Sequence, residues 1–326
     1  MSAGLRFSQF IGTLIFLIAG CGQPEQPGSQ GHNFDKGKPL VVVTSQPLLN
    51  MAKAVAGDAA DVQLVVPANT LSRRWSPTAD DVRVMQQAQL ILISGAGYEP
   101  WKSHVSLPGS RLRDTAAGYY DQFIRIPDAV THQHGPDGSH SHPGTVWATW
   151  LDPELCAAQL HAVAANCGRL MPERTKDIAA AEARMAAEIE TLSLTLTSIK
   201  KSRSNNGIKI FSDAPHYQYL IQRLGWSLHY LHWGEAETLS DAEKSELLDA
   251  FKAADSTGDP DGGNARIFLM DSRRSADVED FVRVAGGVVV RIDLCETPDV
   301  ESGTLVARMK SNLLRLQDVL KILKNP

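Results

Sequence analysis

Histidine is the residue whose spacing suggests chemistry. Four of the ten histidines lie within eleven residues, His132, His134, His140 and His142, in the run THQHGPDGSHSH. On extended chain each His-x-His pair turns both imidazoles to one side, because side-chain direction repeats every two residues. Imidazole suits zinc, copper, nickel and similar ions. The Gly-Pro-Asp-Gly between the pairs is a turn, so residues 131–143 read as a metal-capturing loop. A second set of candidates follows apolar strand patterns in the C-terminal half. Asp213 and His216 follow the run ending at Phe211, His232 follows Leu231, and Asp293 follows VVVRI. Ligands of open α/β sheets gather at the carboxyl ends of strands. His216 and Asp293 thus have the address and the type of a His/carboxylate metal site, with His232 and Asp213 as spare ligands.

The elements that must position these residues alternate strand with helix. Strand patterns fall at Lys38–Val43, Val62–Val66 and Leu90–Ile93, with helical patterns ending at Ala56 and spanning Asp80–Ala88. Pro108–His142 reads as a long loop with one short strand, FIRI. Asp152–Leu170 opens on Asp-Pro, an N-cap followed by a first-turn proline. Pro172–Lys201 is rich in Ala and Glu without Gly or internal Pro, which predicts one long helix. A second alternation follows, with strands at Ile208–Phe211, Leu228–Leu231, Ala265–Met270 and Val288–Ile292 and helices between and after them. The expected fold is α/β, two parallel-sheet lobes bridged by one long helix, with a cleft between the lobes. The expected divisions are 38–170 for the N-terminal lobe, 171–204 for the linking helix and 205–326 for the C-terminal lobe.

The N-terminus predicts the compartment. Arg6 precedes the apolar run Phe10–Ala19, which is too short to span a bilayer and ends in Leu17-Ile18-Ala19-Gly20-Cys21. This pattern resembles a bacterial lipobox, in which Cys21 is lipidated after residues 1–21 serve as the export signal. Residues 22–37, rich in Gly, Pro, Gln and Ser, form the tether. The mature chain is expected outside the cytoplasm, lipid-anchored to the cell membrane or facing the periplasm. Cys156, Cys167 and Cys295 remain, an odd number, and eleven residues of helix hold the first two about 16 Å apart, too far for a disulfide. They read as buried hydrophobes. A hydrophobic fraction of 43% excludes wholesale disorder, and a net charge of −5 without a basic stripe argues against nucleic acid as partner.

Taken in order, several segments resemble the extracytoplasmic metal-binding proteins of ABC transporters, the zinc/manganese solute-binding family. They are Val43–Leu48, Ala56-Gly57-Asp58, Trp75-Ser76-Pro77-Thr78 with Asp81, and Ala88–Leu92 leading to Gly95–Trp101. Trp150–Pro153, Tyr219 with Arg223-Leu224-Gly225, Asp293-Leu294 and Met309–Leu313 continue the match. The resemblance implies one metal ion, Zn2+ or Mn2+, held as transported ligand by three His and one carboxylate between two lobes. It also implies delivery to a membrane permease; a monomer is expected, though the sequence carries no signal for oligomeric state.

Of those four ligands only Asp293 matches directly. The first histidine falls near Arg73 or Arg74, where a cation repels a metal, the second on Ala148, and the third near Ser212 or Asp213, with His216 close by. One reading rebuilds the site from His140 or His142, just upstream of Ala148, with His216 and Asp293, leaving His132 and His134 as an accessory loop. Another has Arg73 or Arg74 receive an anion or a chelated metal. No G-x-S-x-G, Walker loop, G-x-G-x-x-G or H-E-x-x-H occurs, so an enzyme is not expected. An exported metal-dependent hydrolase would need Glu235, Glu237 or Glu296 as its base, and an adhesin-like surface protein would need neither His216 nor Asp293.

Overall fold

The strand β1 (Leu40–Val43) is LVVV and buried at every position, because both faces of its sheet are covered. Around it lie β2 (Asp61–Leu64), β3 (Leu90–Ile93) and β4 (Leu112–Asp114), all parallel, in the order β2-β1-β3-β4. The computed structural model describes Met1, Asp35 and residues 37–68, 70–126, 131–133, 139–141, 144–202, 208–234, 238–256, 265–298 and 303–323, with backbone alone for the two short segments between 131 and 141. Contacts divide the chain into Met1–Gly31 and His32–Pro326, and every element belongs to the second unit. The export signal, Cys21 and most of the tether lie outside the described residues.

Local sequence sets the helix starts. In α1 (Gln46–Ala56) the Ser45 side chain caps the Leu48 amide and Pro47 sits in the first turn. In α2 (Ala79–Gln87) Thr78 and Asp81 cap each other's backbone reciprocally. Asp152 caps α3 (Pro153–Leu170) as its Asp-Pro start suggested. The long helix begins later than expected: Pro172–Arg174 is a 3-10 turn, and α4 runs from Thr175 to Ser202.

The C-terminal lobe repeats the plan. Its strands β7 (Ile208–Ser212), β8 (Leu228–Tyr230), β9 (Ala265–Asp271) and β10 (Gly287–Ile292) are parallel in the order β10-β9-β7-β8. Helices α5 (Gln218–Arg223), α6 (Asp241–Ser256), α7 (Ala276–Val284) and α8 (Leu305–Ile322) complete it. Helix α4 joins the lobes physically as well as in sequence. It buries Ile178, Ala181, Met185, Ile189, Leu192, Leu196 and Ile199 at steps of three and four, one face of a helix. That face packs on α1 and α3 from one lobe and on α8 from the other. One apolar cluster therefore runs from Val41 and Leu92 through α4 to Ile210 and Leu269.

The region expected to be a long loop holds more structure than its sequence suggested. Its segment LRD is β4, whose place is set by pairing with β3 and by the Thr115 hydroxyl donating to the Ile93 carbonyl at 2.8 Å. FIRI contributes only an isolated bridge, Arg125 to Thr145. The histidine-rich run forms an antiparallel pair, β5 (Thr131–Gln133) and β6 (Ser139–Ser141), in which His132 and His140 are register partners. The three described cysteines are buried and form no disulfide, and burial pushes the Cys156 thiol up to about 12.

Candidate functional site

The segments that follow the strands' carboxyl ends in the two lobes meet one another. From the first lobe come the 3-10 turn Ser72–Arg74 after β2 and Tyr98 after β3. The Ser72 hydroxyl, bonded to the Thr44 carbonyl at the end of β1, fixes that turn. Gly95, with φ of +75°, starts the bend leading to Tyr98. A Cβ there would collide with the Asp114 carboxylate, so the close approach of β3 and β4 requires glycine. Glu99 ties the same bend down. It accepts from the Thr44 hydroxyl at 2.7 Å and from the Ser94 and Gly95 amides at 2.6 and 3.0 Å. Burial nevertheless pushes its carboxyl up to about 7.

From the second lobe comes the segment after β10. Cys295 has a φ of 60°, left-handed backbone that non-glycine residues rarely adopt, and bends the chain between Asp293 and Glu296. The Cys295 amide donates to Asp293 Oδ1 at 2.8 Å, which holds the bend.

Glu296 is the centre of the seam. It accepts from Arg73 Nε at 2.9 Å and from the Tyr98 hydroxyl at 3.0 Å on Oε1, and from Arg273 Nη2 at 3.0 Å on Oε2. The Arg73 guanidinium also lies 5.2 Å from the centre of the Trp147 ring, a cation–π contact. Trp147 packs against Tyr98, Trp150 and, at 4.4 Å between centroids, His216 of the other lobe. Trp150 closes the seam by donating to the Leu294 carbonyl at 2.9 Å. Burial, and then the charge of Glu296, push the Tyr98 hydroxyl well above its ordinary value, so it acts as a donor.

The residues expected as ligands are placed as follows. Asp293 does not stand open to an ion: Oδ2 accepts from Arg308 Nε at 2.6 Å and Oδ1 from Arg308 Nη2 at 2.7 Å. Asp213 is buried and bonded to Arg274 at 2.9 Å and to the Tyr217 hydroxyl at 3.0 Å, and burial pushes its carboxyl up against the pull of Arg274. His216 is half-buried against Trp147, and His232 is half-buried with its ring against Tyr230. Of His132 and His140 the backbone alone is described, and directly opposed antiparallel positions share one face of a ribbon. His134 and His142 lie outside the described residues. Among the described residues no three of His, Cys, Asp and Glu come together as a metal would require.

Ala148, at the second ligand position that the resemblance implies, is fully buried and offers no donor atom. Arg73 is engaged by Glu296 and Trp147, so it does not present an open anion site, while Arg74 is exposed. Glu235 and Glu237 lie outside the described residues. Glu296, the remaining candidate base, has its oxygens filled by three donors. Sequence reasoning passed over Tyr98, Trp147, Arg273, Arg274 and Arg308. The strand-end rule that singled out Asp293 applies equally to Arg273 and Arg274, which follow β9 directly.

The family model described as "Zinc-uptake complex component A periplasmic" matches residues 41–319. The "High-affinity zinc uptake system protein ZnuA" of Bacillus subtilis is 31% identical over 91 residues, 28% of this chain and 28% of that protein. The "Zinc-binding lipoprotein AdcA" of Streptococcus pneumoniae is 26% identical over 145 residues, 43% of this chain and 26% of that protein. The alignments thus span little more than a quarter of the length of these two relatives. The crystal structure of the Zn(II)-bound ZnuA-like domain of the same AdcA superposes with a TM-score of 0.68 at 17% identity, covering 86% of this chain and 98% of that one. At that identity the superposition speaks for the two-lobed fold.

Proposed function

Since the chain belongs to the family of periplasmic zinc-uptake components, we propose that it is the extracytoplasmic solute-binding part of an ABC transporter. It captures a divalent transition metal, zinc first and manganese next, and hands it to a membrane permease. The observation that carries this reading is the family match over residues 41–319, which spans both lobes and the helix between them. The chain stands outside the cytoplasm on a lipid carried by Cys21, and it transforms nothing.

The ion is taken up by the histidine hairpin, His132 and His140 with His134 and His142. The register of β5 and β6 supports this, since it sets His132 opposite His140. Two imidazoles on one face of a ribbon supply half of a four-coordinate site. His216, the expected cleft ligand, is held against Trp147 instead. Asp293 and Asp213 contribute only if Arg308 and Arg274 let go of them, and a buried carboxylate parted from its guanidinium is costly.

The test is calorimetric titration of the full chain with zinc and with manganese, beside a variant with His132, His134, His140 and His142 replaced by Ala. The expected outcome is saturable zinc binding in the parent that the variant loses. Binding that survives in the variant moves the ion away from the hairpin, and no saturable binding in the parent refutes metal capture.

A further inference from the structure

Four carboxylates stand at the carboxyl ends of the second lobe's strands, where a cation in the cleft would be held: Asp213 after β7, Asp271 ending β9, and Asp293 and Glu296 after β10. Each already has a guanidinium. Arg274 holds Asp213, Arg273 holds Asp271, Arg308 holds Asp293, and Arg73 with Arg273 holds Glu296. Among the described residues at these strand ends, four formal negative charges thus meet four positive ones. An arginine stays protonated at any working pH and has no lone pair to give a metal.

The pair that crosses the seam is set apart by joining the two lobes, whereas the other three pairs lie within the second lobe. The Glu296 side chain is 1% exposed and that of Arg73 15%, with 223 residues of chain between them. Arg73 occupies the region where the resemblance places the first metal-binding histidine, and its charge sits against the remaining carboxylate and beside Trp147, which also touches His216. The structure assigns Arg73 as the cleft's own cation: its guanidinium takes the place of the ion between the lobes and excludes a bare divalent metal from the cleft. Arg73 and Tyr98 of one lobe both bind Glu296 of the other there. This deepens the metal-capture reading by placing the cargo outside the inner cleft, and it rests on that reading only for the identity of the cargo.

The decisive experiment uses the full chain with His132, His134, His140 and His142 changed to Ala, so that only the cleft remains to bind. Zinc is titrated by calorimetry into this chain, into its Arg73→His variant and into its Arg73→Gln variant. The stripped chain with Arg73 is expected to show no saturable binding. Arg73→His is expected to bind one zinc at least about a hundredfold tighter, since a unit charge a few ångströms away is removed and a ligand nitrogen gained. Arg73→Gln keeps an N–H donor for Glu296 and should gain about tenfold. It decides the matter if near-ultraviolet circular dichroism shows that Arg73→His has lost the fold. One-to-one binding in the stripped chain with Arg73 intact overturns the proposal, as does the absence of any gain in a folded Arg73 variant. Failure of zinc to bind the unstripped parent sinks metal capture instead, and leaves the comparison at residue 73 readable.

Discussion

Replacing Glu296 by Gln should destabilise the protein more than replacing either arginine it holds. The Glu296 side chain is 1% exposed and accepts from three donors between 2.9 and 3.0 Å away. Glutamine keeps the shape, loses the charge, and turns an amide N–H2 towards a guanidinium. Removing one partner of a buried ion pair costs about 3–5 kcal/mol. Here the arginines reach water in part, with 15% exposure for Arg73 and 36% for Arg273, and Arg273 keeps Asp271. The lower end, about 3 kcal/mol, is therefore expected. Arg73→Met leaves Glu296 with Arg273 and Tyr98 but also loses the contact with Trp147, for about 2 kcal/mol. Arg273→Met removes the most exposed member and costs about 1 kcal/mol. Urea unfolding followed by tryptophan fluorescence and by far-ultraviolet circular dichroism measures all three. The two signals should coincide, because the apolar cluster around α4 is shared by both lobes. A Glu296→Gln loss no larger than that of Arg273→Met would refute the reasoning, since it would mean that the carboxylate is not desolvated at the seam.

Two further outcomes follow from the same network and its neighbour. Burial raises the Glu99 carboxyl from 4.5 to about 7, so between those values the unfolded chain has released a proton that the folded chain keeps. Stability should fall by about 3 kcal/mol as pH rises from about 4.5 to about 7 and then level off, and urea midpoints across that range should lose this component in Glu99→Gln. Arg308, buried on α8, holds both oxygens of Asp293. Arg308→Ala should cost about 3 kcal/mol in urea unfolding, and a loss below about 1 kcal/mol would show that solvent already shares the Asp293 carboxylate.

Much of the scaffold was legible in the sequence because its causes are local. LVVV and LILI read as buried strands, Asp152-Pro153 as a helix start, and the Ala- and Glu-rich run as α4, since capping and side-chain period act over a few residues. The order of segments along the chain carried the family as well. Where local signals were weak the reading failed. LRD has no apolar alternation, and only its partner β3 makes it a strand.

The site was legible in the types of its residues and illegible in their pairing. Asp293 and Asp213 carry the chemistry of ligands, and their strand-end positions follow from the α/β alternation. Whether a carboxylate holds an ion or an arginine depends on what the fold brings within 3 Å of it, and Arg73 reaches Glu296 across 223 residues. By itself the sequence determined the histidine spacing, the alternation of strand and helix and the family, each written in neighbouring residues or in their order. Only the tertiary structure decided that the cleft carboxylates are neutralised from within. Coulomb energy depends on distance and desolvation, and neither exists until the lobes have packed on α4.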